Sequence, residues 1–354
     1  HFYFSYLTAF VFLLTLTLGA MFFVLIQYVS QAGWSIVVRR VPEVLMSNIL
    51  LVAIMAIPIL FGIKDLYHWS HMDEVLHDHL LQIKFPYLNV PFFIVRLIVY
   101  FSLWSWISRT FFRKSVEQDD SGDGALTLEL QTKSTFSLII FALTLTFGVI
   151  DLVMSLTPHW YSTIFGLYMF AGSVVVSLAV IGLIYMFLRT QGFLKEIVTV
   201  EHYHDIGKLL YGFNIFWSYI AFSQFFLIWY ASVPEETSFY LQHFEGTWST
   251  VAAFLAIGHF GVPFVLFISR HMKRNLKYHA MMALWLVFMH IVDIYWIIMP
   301  HVSPKGIHVS MVDVVLLIGL SSVFFAVFFN KLKKVNLIPT KDPRLHESLN
   351  HENY

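Results

Sequence analysis

The chain has 354 residues, of which 58% are hydrophobic and only 12% are charged, and its net charge is zero. Soluble domains are about 25% charged, so this composition excludes a soluble globular protein, and the balanced charge argues against nucleic-acid binding. The sequence contains no cysteine, which excludes disulfides, thiolate-held iron–sulfur clusters and covalently attached haem in this chain.

Apolar runs recur along the whole chain, each long enough to cross about 30 Å of hydrocarbon as a helix. They predict an all-α polytopic membrane protein. Nine spans with a cytoplasmic C-terminus would leave His1 on the outer side, so either the protein starts outside or one further helix precedes His1. We expect the further helix, which makes ten in the full chain. The nine predicted spans cover residues 2–29, 43–63, 88–111, 134–156, 160–188, 206–232, 247–269, 278–299 and 309–330.

The basic residues divide unequally between the two sets of alternating loops. Eighteen of the 22 Lys and Arg residues fall on one side and three on the other, while Arg96 lies within a span. Cytoplasmic loops of membrane proteins carry such an excess. The bias therefore predicts that the basic side, with the C-terminal tail 331–354, is cytoplasmic.

Two loops are unusual in composition. The outer loop 64–86 is rich in acid and histidine, and its histidines would invite a metal-binding interpretation. Their spacing is not that of a closed zinc site, so a solvated, amphipathic interfacial segment is the preferred interpretation. The inner loop 115–131 is acidic and contains glycine, which predicts a flexible connection. The four histidines of the outer loop are His68, His71, His77 and His79.

An internal repeat appears in the fourth and eighth spans. Asp151 precedes the pair Pro158-His159 by seven residues, and Asp293 precedes Pro300-His301 by the same distance. Both spans run from inside to outside, so the pattern predicts two tandem units in the same orientation. The predicted organisation is a flanking helix in 1–30, a four-helix bundle in 43–188 and a second one in 206–330.

The sixth span carries a polar stripe. Residues at three- and four-residue spacing share one helical face, and a lipid-facing helix would not bear them because polar groups in hydrocarbon are costly. One interpretation is close helix packing through small and hydrogen-bonding residues. The other is one wall of a polar path for protons or a small ligand. The stripe consists of Gly207, Tyr211, Asn214, Ser218 and Ala221, and Gln224 lies close to its continuation.

Ionisable residues inside the spans need compensation, because a carboxylate in the membrane costs on the order of 3 kcal/mol. Arg96 reaches a depth similar to that of Asp151, so an ion pair between them is one hypothesis. A second hypothesis is that His259, His290 and Asp293 converge in the second bundle, either as a static hydrogen-bonded core or as a proton-conducting cluster.

The residues proposed for a proton path are Asp151, His159, His259, His290, Asp293, Asn214 and Gln224. A b-type haem would need paired histidines on facing helices. Since His259 and His290 are the only well-placed pair, haem is the disfavoured interpretation. The sequence predicts neither a catalytic residue nor a metal site.

Four stretches resemble a known family. Thr157–Ile181, His204–Thr237, Gly258–Asn275 and His290–Pro300 are similar to the ActF subunits of bacterial alternative complex III. The resemblance extends to the wider family of polysulfide-reductase-type (NrfD- and PsrC-like) membrane subunits. That family is built as two four-helix bundles with flanking helices, which agrees with the repeat.

The resemblance implies a subunit of a menaquinol-oxidising respiratory complex in the bacterial inner membrane. It implies that this chain binds no redox centre, with menaquinone as the one cofactor left open, and that haem c and iron–sulfur clusters reside in partner subunits. The implied partners are an ActC-like paralogue, an iron–sulfur ActB-like subunit, multihaem cytochrome c subunits, small membrane subunits, a terminal oxidase and phospholipids. A proton path is a role suggested for the family.

Two other functional classes stay open at this stage. A free-standing secondary transporter would also show repeats and polar residues near the middle of the membrane, although its helices are usually broken by glycines, and here Pro263 is the main interruption. The second class is a purely architectural subunit. It would differ from a proton-conducting subunit only in whether its cluster of acidic residues is hydrated.

Overall fold

The computed structural model describes residues 1–353, and this part of the chain contains α-helices and short 3-10 turns but no β-strand. The protein is therefore an all-α polytopic membrane protein, as predicted. The nine long helices are α1 (Phe2–Val29), α2 (Arg40–Phe61), α3 (Val90–Ser121), α4 (Ala125–Leu152), α5 (Phe165–Thr190), α6 (Val200–Ala231), α7 (Trp248–Leu266), α8 (Leu276–Ile298) and α9 (Met311–Leu332).

Eight of these helices are long and apolar enough to cross a membrane. The ninth, α6, has 32 residues and is ample in length, but Asn214, Ser218 and Gln224 interrupt its apolar sequence. The shorter elements are the 3-10 turns Gly33–Val38, His68–Ser70, Met154–Leu156 and Met299–His301, and the helices Ile63–Leu66, Met72–His77, His79–Lys84, Pro234–His243, Arg270–Arg274 and Leu345–Leu349.

Helix α1 lies at the centre of the molecule, although the sequence places it outside the two bundles. It is the most buried long helix and packs against α2, α4, α5, α8 and α9. A Cβ atom on Gly19 would lie 2.0 Å from the Ser173 carbonyl oxygen of α5. Only glycine allows this close backbone approach.

Helix α5 packs against helices of both predicted four-helix bundles. It packs against α4 of the first group and against α6 and α8 of the second. The division of the chain at residues 43–188 and 206–330 stays a prediction, since this helix contacts members of both. α9 packs mainly on α1 and leaves most of its surface exposed.

The predicted flexible loop 115–131 is helical except for Gly122–Gly124, so this prediction was wrong. α3 continues to Ser121 and ends at Gly122, whose φ of 69° suits a left-handed helix cap. Buried partners hold the polar residues of the extension. Ser115 donates to Glu43 at 2.8 Å, and Arg40 donates to Asp119 at 2.7 Å. These tertiary contacts outweigh the loop-like composition.

Polar side chains define several helix starts. Asn89 accepts from the Phe92 backbone N–H at 2.9 Å before α3, and Asn275 accepts from Lys277 at 3.1 Å before α8. Both satisfy N–H groups that have no partner within the helix. These caps fix where α3 and α8 begin, and thereby the register of Arg96 and Asp293.

We call the face that carries loop 64–86 the loop side and the opposite face, which carries residues 333–353, the tail side. The tail segment returns across the helix ends rather than leaving the molecule. Arg39 donates to Asp342 at 2.6 Å, and both side chains are buried. Burial lowers the pKa of Arg39, but the nearby Tyr28, Glu43 and Asp342 outweigh it and hold that pKa above its ordinary value. Tyr354 lies outside the described residues.

Candidate functional site

A cavity of about 740 Å³ lies among α5, α6, α7, α8 and the helix Pro234–His243. Its walls are mainly aromatic, and the exposed side chains of Tyr219 and Phe222 form part of its rim. The cavity thus opens at the side of the helical bundle. Apolar pockets of this size with a few convergent polar groups are the usual form of small-molecule sites. Its polar lining consists chiefly of Tyr168, Trp217, Ser218, Gln224, Tyr240 and Asp293.

Asp293 lies in the wall of this cavity and is only 1% exposed. Its carboxyl accepts a hydrogen bond from the Tyr168 hydroxyl. No Lys, Arg or His side chain forms an ion pair with it within residues 1–353. A buried carboxylate is normally paired because isolated charge is costly to bury, so Asp293 is unusual.

Trp217 brings the predicted histidines next to this carboxyl. The His259 ring stacks on the Trp217 indole with 3.7 Å between ring centroids. A Cβ atom added to Gly172 would lie 3.1 Å from His290 Nδ1 and 3.5 Å from Trp217 Cδ1. Both rings therefore pack against this glycine. The predicted set of His259, His290 and Asp293 is therefore assembled around one indole rather than by direct bonds.

His259 occupies a π-helical turn, Ala256–Gly261, within α7. Such turns are rare and are frequent at functional sites. Asn214 donates to the His259 backbone carbonyl at 2.9 Å. Both His259 ring nitrogens lack a hydrogen-bond partner among the described residues, and so do His290 Nδ1, Trp217 Nε1 and Asn214 Oδ1. Buried polar atoms without partners are uncommon and call for an explanation.

His290 is anchored from the central helix. Its Nε2 lies 3.0 Å from Thr15 Oγ1, while that hydroxyl also donates to the Phe12 carbonyl at 2.9 Å. With the Thr15 proton directed to Phe12, the geometry assigns the N–H of a neutral His290 to Nε2. The remaining acceptor, Nδ1, then faces Gly172 and Trp217.

Gln224 holds the loop-side end of the cavity. Its Nε2 donates to the Tyr240 hydroxyl at 3.1 Å, and its Oε1 accepts from Ser162 at 3.0 Å. Burial raises the pKa of Tyr240 above its ordinary value. Nearby His243 stacks on Phe239 with centroids 3.8 Å apart, and burial lowers the pKa of His243 to about 3. Gln224 and Tyr240 thus give this end of the cavity a hydrogen-bonding lining.

Asp151 lies in a separate cluster between α3 and α4. Arg96 donates to it through Nε at 2.8 Å and through Nη2 at 3.0 Å, and Tyr100 donates to it at 2.9 Å. Such a two-pronged pair neutralises the carboxylate and fixes its orientation. Asp151 is fully buried and does not line the cavity at Asp293.

His159 lies on the loop side, with a partly exposed side chain whose Nε2 is 2.5 Å from Asp78. This hydrogen bond lowers the pKa of the Asp78 carboxyl. The predicted proton-path residues therefore divide into two sets. Asp293 and Gln224 line the cavity, His259 stacks on the lining indole of Trp217, and Asn214 bonds to the His259 backbone. His290 lies with Trp217 beside Gly172, whereas Asp151 and His159 lie in separate clusters.

The histidines of the outer loop make separate contacts. His68 lies 3.4 Å from Glu74, His71 bonds to the Lys64 carbonyl, and His77 bonds to the Asp73 carbonyl. Within residues 1–353, no group of three or more His, Cys, Asp or Glu side chains is arranged to hold a metal ion. The loop is largely exposed, although Trp69 is buried.

Sequence reasoning missed Thr15, Tyr168, Trp217 and Tyr240. Trp217 follows Asn214 by three residues and so falls on the polar face of α6, which was the one available signal. The others come from α1, α5 and the helix Pro234–His243, whose packing against α6 and α8 the sequence does not reveal.

No protein-family model matches this chain, and no curated protein matches it.

Proposed function

We propose that the chain is an integral membrane subunit of a menaquinol-oxidising respiratory complex of the alternative complex III type. In this proposal the chain carries no redox centre and contributes a transmembrane proton path. Haem c and iron–sulfur clusters belong to partner subunits. The ActF-like sequence motifs support membership of such a complex, and the site around Asp293 supports the proton path.

The observation that carries the proton path is a buried carboxyl without a counter-ion beside a cavity. The Asp293 carboxyl accepts a hydrogen bond from the Tyr168 hydroxyl and lines the same cavity as Trp217. Both ring nitrogens of His259 and the Nδ1 atom of His290 are without a hydrogen-bond partner beside that indole. A carboxyl that is not locked to a cation can exchange a proton without leaving an opposite charge unpaired, and an imidazole can accept a proton on one nitrogen and release one from the other.

Replacement of Asp293 by Asn in the assembled complex tests this proposal. Quinol oxidation and proton release are measured together in sealed vesicles. We expect oxidation to persist while proton release falls, because the amide keeps the shape but has no acidic proton to exchange. Asp73→Asn, an exposed carboxylate of the outer loop, serves as the control and should leave both rates unchanged.

The competing functions predict other results. If Asp293→Asn leaves both rates and the assembly intact, the subunit is an architectural scaffold. If the chain purifies alone, without multihaem or iron–sulfur proteins, and accumulates a solute in vesicles, it is a transporter. Either result would reject the proton path.

The cavity favours a second role, the binding of a menaquinone ring. It opens at the side of the bundle, has aromatic walls, and places the Asp293 carboxyl and the Tyr240 hydroxyl at one lining. A ring with two carbonyl or hydroxyl groups matches this combination of apolar and hydrogen-bonding surface.

A photoreactive menaquinone analogue tests the second role in the assembled complex. We expect label on α6 and α7, and less label when Ala252→Phe fills part of the cavity. Ala326→Phe, on the exposed face of α9, is the matched control. Label confined to partner subunits would exclude the quinone role in this chain while leaving the proton path untouched.

A further inference from the structure

A second cavity, of about 500 Å³, lies on the tail side between α1, α5 and α6. Its inner part is apolar and contains Phe22, Leu178 and Phe213. At this inner end Phe22 contacts the rings of Phe170 and Phe213, with centroids 4.8 Å and 5.8 Å apart. The aromatic cluster separates this cavity from the one at Asp293, to which Phe22, Phe170 and Phe213 do not contribute.

The mouth of the second cavity is polar, and the chain itself covers it. His351 Nε2 lies 2.5 Å from Asp205 Oδ2, and Lys208 donates to Asn353 Oδ1 at 2.8 Å. Arg270 donates to the Asn353 carbonyl at 2.7 Å. The tail thus meets three charged side chains, two of which, Asp205 and Lys208, line the cavity.

The tail is anchored just before these residues. Ser348 is fully buried, donates to the Trp34 carbonyl at 2.6 Å and accepts from the Val37 N–H at 3.2 Å. His202 Nε2 lies 3.1 Å from the Ser348 carbonyl oxygen. The anchor is therefore buried and bonded on several sides.

The contacts at the mouth are of a different kind. The Lys208 side chain is 49% exposed and that of His351 is 21% exposed. Polar contacts within reach of water contribute little net stability, because water competes for the same donors and acceptors. The segment after Ser348 is consequently held less firmly than the anchor.

We propose that residues 349–353 form a lid over the tail-side mouth of the second cavity, where Asp205 is paired with Lys208 at 2.6 Å. This inference goes beyond the proposed function and does not depend on a proton path. Opening the lid exposes the Asp205 carboxylate and admits water as far as the aromatic cluster.

The cysteine-free sequence allows a direct test of the lid. Leu178, which is 1% exposed and lines the cavity, is replaced by Cys in the full-length chain within its native membrane. A small, membrane-impermeant thiosulfonate reagent is added to inside-out vesicles, where the predicted topology exposes the tail side. The rate of thiol modification measures access to the cavity.

We expect slow modification in the Leu178→Cys background and several-fold faster modification when His351→Ala and Asn353→Ala are added. Asp205→Asn, which weakens the His351 contact from the other side, should also accelerate it. Glu347→Gln is the matched control, because it breaks only the exposed pair with Arg344 in the same tail and should leave the rate unchanged.

Equal rates with and without the lid substitutions would overturn the proposal, and so would an equal acceleration by Glu347→Gln. Modification that is already fast in Leu178→Cys alone would show an open cavity and would also overturn it. These outcomes do not depend on proton movement. Failure of the lid is therefore distinguishable from failure of the proton path, which the Asp293→Asn experiment decides.

Discussion

Asp151 and Asp293 occupy equivalent positions in the repeated sequence pattern but have opposite electrostatic environments. Asp151 is held by Arg96 in a two-pronged ion pair and by Tyr100. Asp293 accepts from the Tyr168 hydroxyl, has no cation as a partner and lies at a cavity. The same spacing of Asp and Pro-His therefore supports a structural charge pair in one region and an unpaired carboxyl in the other.

The difference arises from the neighbouring helices. α3 supplies a cation opposite Asp151, whereas the α5 and α6 residues beside Asp293 are Tyr168 and Trp217. A neutralised carboxylate stabilises the packing of α3 on α4 but cannot exchange its proton without leaving Arg96 unpaired. An unpaired carboxyl contributes less to stability and remains available for chemistry.

Arg96→Gln should have the largest effect on the free energy of unfolding. It leaves the Asp151 carboxylate buried and unpaired, which typically costs about 3–5 kcal/mol. Asp293→Asn should cost no more than about 1 kcal/mol, since it weakens one hydrogen bond. Denaturant unfolding of the purified protein in detergent measures both.

The double variant Arg96→Gln with Asp151→Asn provides the control for that comparison. Removal of both charges should recover most of the stability lost in Arg96→Gln, because no ion remains buried alone. If Arg96→Gln and Asp293→Asn prove equally mild, the electrostatic contrast between the two regions is incorrect.

The two tyrosines offer a smaller test of the same contrast. Tyr168→Phe removes the hydroxyl donor to Asp293, which has no cation to compensate, at a cost of about 1–3 kcal/mol for a buried carboxyl that loses a hydrogen bond. Tyr100→Phe leaves Asp151 bonded to Arg96, and about 0.5–1.5 kcal/mol is expected. Thermal unfolding of the two variants side by side measures the difference, and a larger loss in Tyr100→Phe would contradict it.

The smallest expected effect is a change in how thermal stability depends on pH, and it concerns the pair of His159 and Asp78. Its hydrogen bond lowers the pKa of Asp78, so the pair contributes stability above the ordinary pKa of Asp, about 3.9, and loses it as the pH falls through the lowered value. The midpoint of thermal unfolding should differ between the natural protein and Asp78→Asn at about pH 5, and this difference should shrink as the pH falls through the lowered pKa of Asp78. A difference that grows as the pH falls would contradict the assignment.

The sequence by itself determined the fold class and the positions of the long helices. Runs of apolar residues must cover their backbone groups inside a membrane, so length and composition are enough to predict helices there. The same logic found the polar face of α6, whose Asn214 and Gln224 are buried. It failed at 115–131, because the partners that keep Ser115 and Asp119 helical lie far away in the chain.

Only the tertiary structure decided which predicted site residues belong together. Spacing along one helix cannot show that Thr15 reaches His290, that Trp217 stacks on His259, or that the tail returns to Asp205. These contacts join residues that are distant in sequence, and they depend on helix rotation and crossing geometry. In a membrane most helix surfaces are apolar whether they face lipid or protein, so the sequence pattern carries little information about which faces meet.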